Sequence, residues 1–116
     1  HNTILPPFRA AIDRADARTV MNSFNTLNGI PATGDKYLQR DVLKGDWGFD
    51  GFVVSDWGSG VEMIEHGVAA DEREAARLAI AGGSDMDMES FVYEPHLPDL
   101  ARSGEIDARW IDDAVR

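Results

Sequence analysis

The sequence predicts an α/β fold in which short parallel strands alternate with helices, and three observations carry this. Phe52-Val53-Val54 is a short apolar run with two β-branched residues, bounded by Gly51 and Ser55. Such a run reads as a strand buried on both faces, as a parallel sheet under helices requires. Between runs of this kind lie segments whose apolar residues recur at spacings of three and four, the helical period. The strand ends also recur: Phe24, Asp56 and Met88 stand 32 residues apart. That is the size of one strand–helix unit in an eight-unit barrel of about 250 residues. Periodicity alone suits a doubly wound sheet equally well.

Each element has its own local reason. Leu5-Pro6-Pro7-Phe8 opens a helix, because a proline in the first turn lacks only an N–H that would have no partner there. Phe8, Ala11, Ile12 and Ala15 form its apolar face, closed off near Asp16. Residues 19–24 read as a strand. Asn28-Gly29-Ile30-Pro31 follows as a loop: Asn-Gly favours a hairpin turn, but no second alternating strand comes after it. Tyr37, Leu38 and Val42 mark a helix over about residues 35–44, with Gly45 as its stop.

After the Phe52 strand, Val61, Ile64 and Val68 give another helical face. Asp71-Glu72-Arg73-Glu74 has the form of a capping box for a helix over residues 72–81, with Ala75, Leu78 and Ala79 inward and Gly82-Gly83 at its end. The acidic start also suits the helix dipole. Residues 84–88 read as a third strand whose Asp/Met alternation implies one polar face. Pro95 and Pro98 confine the next helix to residues 98–102, or one turn more at the front, and Gly104 breaks it. Asp107 caps a last helix with a buried stripe of Trp110, Ile111, Ala114 and Val115.

Composition excludes several function classes. Apolar content of 43% and charged content of 28% are those of an ordinary globular chain. A net charge of −10 argues against a nucleic-acid partner, which needs a basic stripe, and suits a neutral ligand. Without cysteine there is neither a disulfide nor a thiolate metal site. No apolar run approaches the length that spans a bilayer, and no signal peptide is visible. His1, His66 and His96 form no i,i+4 zinc pair, and no Gly-x-Ser-x-Gly elbow announces a serine nucleophile, so Ser55 reads as a neighbour of the site. The chain begins at His1 rather than Met, which suggests a piece of something longer.

Chemistry is concentrated in Ser55-Asp56-Trp57-Gly58, where a hydroxyl, a carboxylate and an indole follow one another as the strand stops. Ligands of α/β folds sit at this edge, so Asp56 is the candidate catalytic residue. An isolated Asp after a strand more often forms a turn or caps a helix. The whole string from Trp47 to Gly58, Trp-Gly-Phe-Asp-Gly-Phe-Val-Val-Ser-Asp-Trp-Gly, decides between them. It resembles the nucleophile segment of glycoside hydrolase family 3, the β-glucosidase and β-xylosidase group. Met21 to Pro31 resembles the preceding barrel strand and loop of that family, and Ala81 to Met88 the following one. Leu5-Pro6-Pro7-Phe8-Arg9 and Ala69-Ala70-Asp71 match the look of its periplasmic β-glucosidases.

The resemblance implies a partial (β/α)₈ TIM barrel: about three strand–helix units plus C-terminal helices, with residues 1–116 the C-terminal part of the family's N-terminal catalytic barrel domain. It implies retaining hydrolysis of terminal β-D-glucosyl residues from a small β-glucoside or oligosaccharide, with β-xylosidase or another exo-β-glycosidase as the alternative. Asp56 would be the nucleophile; no metal, organic cofactor, nucleic acid or membrane is implied, and the compartment would be periplasmic or extracellular. Trp57 could stack on a sugar ring or pack in the core, whereas Trp47 and Trp110 read as core.

Phe24 stands where family members often carry a tyrosine, so it can offer only an apolar wall, and Met21 is a similar candidate. Asp85 and Asp87 read as structural, with Met86 or Met88 at the pocket mouth. The family's sugar-holding Asp, Arg and Lys-His come from earlier strands and its acid/base Glu from a later domain, none of them in this sequence. The isolated chain is therefore expected to be inactive, with strand residues such as Val53 and Val54 only partly covered. A signalling receiver domain also carries a carboxylate at a strand end. It needs an acidic cluster near its first strand and a lysine near its last, and neither appears in that order.

Overall fold

The computed structural model describes residues 3–116. Helix α1 spans Leu5–Ala15 with proline in its first turn and ends where Asp16 takes a left-handed conformation, φ 53°. Its apolar face is only partly covered: Ile12 packs on the core, while Phe8 lies exposed along an apolar groove of about 210 Å³ beside Val20, Leu38 and Trp47.

Strand β1, Thr19–Met21, pairs in parallel with β4, Phe52–Val54, in the register Thr19–Phe52, Val20–Val53, Met21–Val54. The third strand position, expected over residues 84–88, is reduced to a single parallel bridge between Val54 and Met86. Side chains alternate across a strand, so Val20 and Val53 share one face and Met21, Val54 and Met86 the other. Val20 and Val53 pack with Leu43, Phe49 and Trp47. Met21, Phe52 and Met86 are exposed. Helices thus cover one face of the strands, the arrangement of a (β/α)₈ barrel arc; a doubly wound sheet covers both. Val53 and Val54 are both buried, contrary to expectation, because the helix layer closes over Val53 and Val54 is flanked by Met21 and Met86.

Two elements between β1 and β4 differ from the sequence reading. Asn28-Gly29 does make a hairpin: β2 (Thr26–Leu27) pairs antiparallel with β3 (Ile30–Pro31), and both turn residues have positive φ, 53° and 83°. The strands have only two residues each, too few to show alternation, while the turn itself demands the left-handed pair that Asn-Gly supplies. The helix expected over residues 35–44 is a π-helix, Tyr37–Asp46, that runs through Gly45. Its slower winding turns Tyr37 outward and buries Gln39, Val42 and Leu43.

Beyond β4, α2 (Ser59–Glu65) is anchored by the fully buried Met63, with Val61 and Ile64 half-buried. Asp71 caps α3 (Glu72–Gly82) as expected, its carboxylate accepting the Glu74 N–H at 2.8 Å, but the Glu74 side chain reaches one residue further back than a capping box requires, accepting the Ala70 N–H at 2.9 Å. Gly82 lets α3 touch the turn at Gly34, since a Cβ there would lie 2.8 Å from a backbone carbon.

Helix α4, Tyr93–Arg102, starts further forward than the prolines suggested and contains Pro98. Asp107 caps α5, Ala108–Val115, by accepting the Arg109 N–H. Trp110, Ile111 and Ala114 pack on a core of Ala76, Ile80, Val92, Leu100 and Ile106, but Val115 is 78% exposed, one position past the covered stripe.

Candidate active site

A short strand that stops at polar residues leaves its last main-chain groups to be satisfied by neighbours. Around Asp56 they are satisfied from both sides. Toward the third strand position, the Ser55 N–H donates to the Met86 carbonyl at 2.8 Å, Ser55 Oγ accepts the Met88 N–H at 2.8 Å, and the Gly58 N–H donates to the Met88 carbonyl at 2.9 Å. Toward β1, the Asn22 N–H donates to the Val54 carbonyl at 3.0 Å, and Asn22 Oδ1 accepts the Asp56 N–H at 3.3 Å. Gly58, at φ 66°, then turns the chain into α2, whose first N–H, from Ser59, reaches the Asp56 carbonyl at 3.1 Å.

The Asp56 carboxylate is half-exposed. Its Oδ1 accepts the Trp57 N–H at 2.7 Å. No described residue hydrogen-bonds to its Oδ2, so one oxygen is fixed and the other is open.

A buried polar network lies directly behind this carboxylate, and the sequence reading missed it. The Asn22 amide donates to Gln39 Oε1 at 2.9 Å and Ser84 Oγ at 2.6 Å; Thr33 Oγ1 lies 3.1 Å from Asn22 Oδ1 and 2.8 Å from Ser59 Oγ. Gln39 Nε2 donates to the Thr33 carbonyl at 3.1 Å, and the Tyr93 hydroxyl donates to the Ser84 carbonyl at 2.6 Å. Burial, reinforced by Asp87 and Asp85, raises the Tyr93 pKa well above the usual phenol value. The available signal was polar residues at positions where a strand or helix face turns inward.

The π-helix contributes a row of such groups. Gln39 reaches the network, Arg40 donates to the Ala81 and Ile80 carbonyls at the end of α3 at 2.7 and 2.6 Å, and Lys44 meets Asp85 at 2.6 Å.

Asp85 and Asp87 are structural, as their sequence context suggested. The Asp85 side chain is 3% exposed; besides Lys44 it accepts the Val53 N–H at 2.8 Å. Asp87 accepts the Ser90 and Val92 N–H groups at 3.2 and 2.9 Å, ordering the approach to α4. Ser55 is buried and bonded, a neighbour of the site. Trp57, Met21 and Phe24 are 67%, 53% and 42% exposed, with Met86 also exposed and Met88 half-buried. Trp57 is thus not a core residue, while Trp47 and Trp110 pack on the core under Arg9 and Arg40 at 5.9 and 5.2 Å. Among the described residues no cluster of His, Asp or Glu could hold a metal ion, and no helix is long and apolar enough to cross a membrane.

Comparison with known proteins places the chain in a family. The model of the glycosyl hydrolase family 3 N-terminal domain matches residues 1–116. A periplasmic β-glucosidase of Salmonella typhimurium is 45% identical over 99% of the chain, which spans 15% of that relative. An exo-1,4-β-xylosidase of Emericella nidulans is 35% identical over 96% of the chain, again 15% of the relative. The crystal structure of a Listeria innocua β-glucosidase in complex with glucose superposes with a TM-score of 0.92 at 43% identity, covering 96% of the chain and 15% of the enzyme. A variant of the same enzyme is known in complex with laminaribiose.

Proposed function

The chain belongs to glycosyl hydrolase family 3, and from that premise we propose that it is the C-terminal part of the catalytic barrel domain of a retaining β-glucosidase, with Asp56 as the nucleophile. The observation that carries this is the placement of Asp56: it stands two residues past the end of a parallel strand, its main chain is held by Asn22 and Ser59, and no described residue hydrogen-bonds to its Oδ2.

In this mechanism Asp56 Oδ2 attacks the anomeric carbon of a terminal β-D-glucosyl residue. The bond to the leaving oxygen breaks, and that oxygen takes a proton from an acid/base group supplied by the rest of the parent protein. Water then attacks from the face the leaving group vacated, giving its proton back to the same acid/base group as the ester to Asp56 breaks, and the anomeric configuration is retained. Trp57 offers an indole face to a sugar ring, and the exposed Met21 and Phe24 would serve as apolar walls of the sugar site. The periplasmic relative supports a periplasmic or extracellular location.

A second reading, β-xylosidase, is favoured by the xylosidase relatives of 32–41% identity. Treating the intact protein with 2-deoxy-2-fluoro-β-D-glucosyl fluoride tests the assignment. The expected result is a stable glycosyl ester on the peptide containing Asp56. A label on any other residue overturns it, and labelling only by the corresponding xylosyl fluoride selects the second reading.

A further inference from the structure

The nucleophile's side chain is fixed through one oxygen by its own neighbour, but its main chain depends on a residue from a different strand. Asn22 uses every hydrogen-bonding capacity of its side chain at one junction. Its Oδ1 accepts from the Asp56 N–H at 3.3 Å and from Thr33 Oγ1 at 3.1 Å, and its Nδ2 donates to Ser84 Oγ at 2.6 Å and Gln39 Oε1 at 2.9 Å. Its own N–H takes the Val54 carbonyl at 3.0 Å, where β1 and β4 stop pairing. One residue therefore ties together all three strand positions: β1, which it follows, β4, through Val54 and Asp56, and the third, through Ser84 at its start.

The tie is rigid because the groups behind it are buried and in turn satisfied. Ser84 Oγ lies 2.9 Å from the Thr33 carbonyl, and the Gln39 amide donates to the Thr33 and Gly82 carbonyls at 3.1 and 3.3 Å. Satisfied polar networks of this kind hold one geometry. Asp56 itself has no such support: among the described residues its carboxylate has a single partner, the Trp57 N–H, and the residue is half-exposed. Among the described residues the Trp57 N–H holds the carboxylate and Asn22 is the side chain that holds the Asp56 main chain, so Asn22 bears on where Oδ2 stands.

We propose that Asn22 is a positioning residue for the nucleophile, setting the main chain of Asp56 so that Oδ2 meets the anomeric carbon in line with the leaving group. The proposal rests on Asp56 being the nucleophile. A displacement of about 1 Å at a reacting atom costs up to ~10²-fold in rate, so the effect belongs to the bond-forming step and leaves sugar affinity alone.

The test uses the intact protein and 2-deoxy-2-fluoro-β-D-glucosyl fluoride. In its reaction a carboxylate oxygen bonds to the anomeric carbon as fluoride leaves, and the slow hydrolysis of the ester lets active sites be counted. Mapping the label in the unmutated protein tests the nucleophile separately: a label away from Asp56 defeats that reading, and this inference with it.

With the label on Asp56, Asn22→Ala is expected to lower the inactivation rate constant per counted site by about 10- to 100-fold, with the inhibition constant for glucose within twofold of the parent. A per-site rate within twofold of the parent overturns the inference. So does a variant whose only deficit is fewer countable sites, or one that loses sugar affinity in step with rate, since both outcomes belong to a merely structural residue. Should Asn22→Ala yield no folded protein, Ser84→Ala, which removes one acceptor of the Asn22 amide together with the Ser84 bonds to the Thr33 carbonyl and Gln39 Oε1, decides: a per-site loss of threefold or more supports the inference, and no loss overturns it.

Discussion

Asp85 holds Val53 through both of that residue's main-chain groups. Its carboxylate accepts the Val53 N–H at 2.8 Å, and its own N–H donates to the Val53 carbonyl at 2.8 Å. A side chain thus takes over a rung of the ladder where the third strand is too short to supply one, three residues before the candidate nucleophile. Lys44 neutralises the same carboxylate from the π-helix.

Asp85→Ala should therefore be severely destabilising, since it leaves the mostly buried Lys44 ammonium with only the distant Asp113 and orphans the Val53 N–H. Breaking one side of a buried ion pair costs about 3–5 kcal/mol. Lys44→Met combined with Asp85→Leu should recover part of this but not all, because an unsatisfied N–H still costs about 1–3 kcal/mol. Denaturant unfolding of the two variants in the intact protein measures both steps; equal stability of the double variant and the parent would contradict the role given to Val53.

Gly82→Ala should destabilise by about 1–3 kcal/mol through overpacking. The added Cβ would sit 2.8 and 2.9 Å from the Gly34 carbonyl carbon and oxygen, atoms of the backbone that cannot rotate away. A thermal midpoint unchanged by the substitution would mean that the turn at Gly34 can shift.

Glu105 gives an acid-sensitive link between α3 and the segment before α5. Its bonds to Arg73 and to Ser103 lower its pKa from 4.5 to about 2. A carboxylate whose folded pKa is depressed stabilises fully above its unfolded value and loses that contribution as pH falls through the folded one. The thermal midpoint of Glu105→Gln should therefore lie below that of the parent above about pH 4.5 and converge with it toward pH 2. Because the pair is exposed, the gap should be small and should shrink in high salt. A gap that persists unchanged at pH 2 would assign the effect to something other than ionisation.

In the intact protein, Asp56→Ala should lose turnover by well over 10²-fold, the low end for a group that only assists proton transfer. Azide, given a substrate with a good leaving group, should enter the vacated space and yield a glycosyl azide of inverted configuration. A variant that keeps more than about a hundredth of parental turnover would remove Asp56 from the nucleophile role.

The isolated 116-residue chain should hydrolyse no aryl β-glucoside above background. On the proposed assignment it holds only the nucleophile of a catalytic pair, and general acid help alone is worth about 10²–10⁴-fold. Turnover by a pure preparation, abolished by Asp56→Ala, would show that the second carboxyl group lies within these residues.

The local sequence determined those features whose cause lies within a few residues. Prolines opened α1, Asp71 and Asp107 capped α3 and α5, Gly58 turned the chain away from Asp56, and the β-branched run made β4. The family, and with it the attention to Asp56, was legible in one continuous string from Trp47 to Gly58.

Tertiary structure alone decided the rest. Asn22 meets Ser84 and Asp56 across 62 and 34 residues, and Asp85 meets Lys44 and Val53 across 41 and 32. The partners of a polar side chain at such separations are chosen by which strands end side by side, and neither its own neighbours nor its helical or strand period records that. The same reason accounts for the π winding that brings Gln39, Arg40 and Lys44 onto one face, and for Val115, which shares the apolar character of its helix stripe but lies exposed because nothing folds over it.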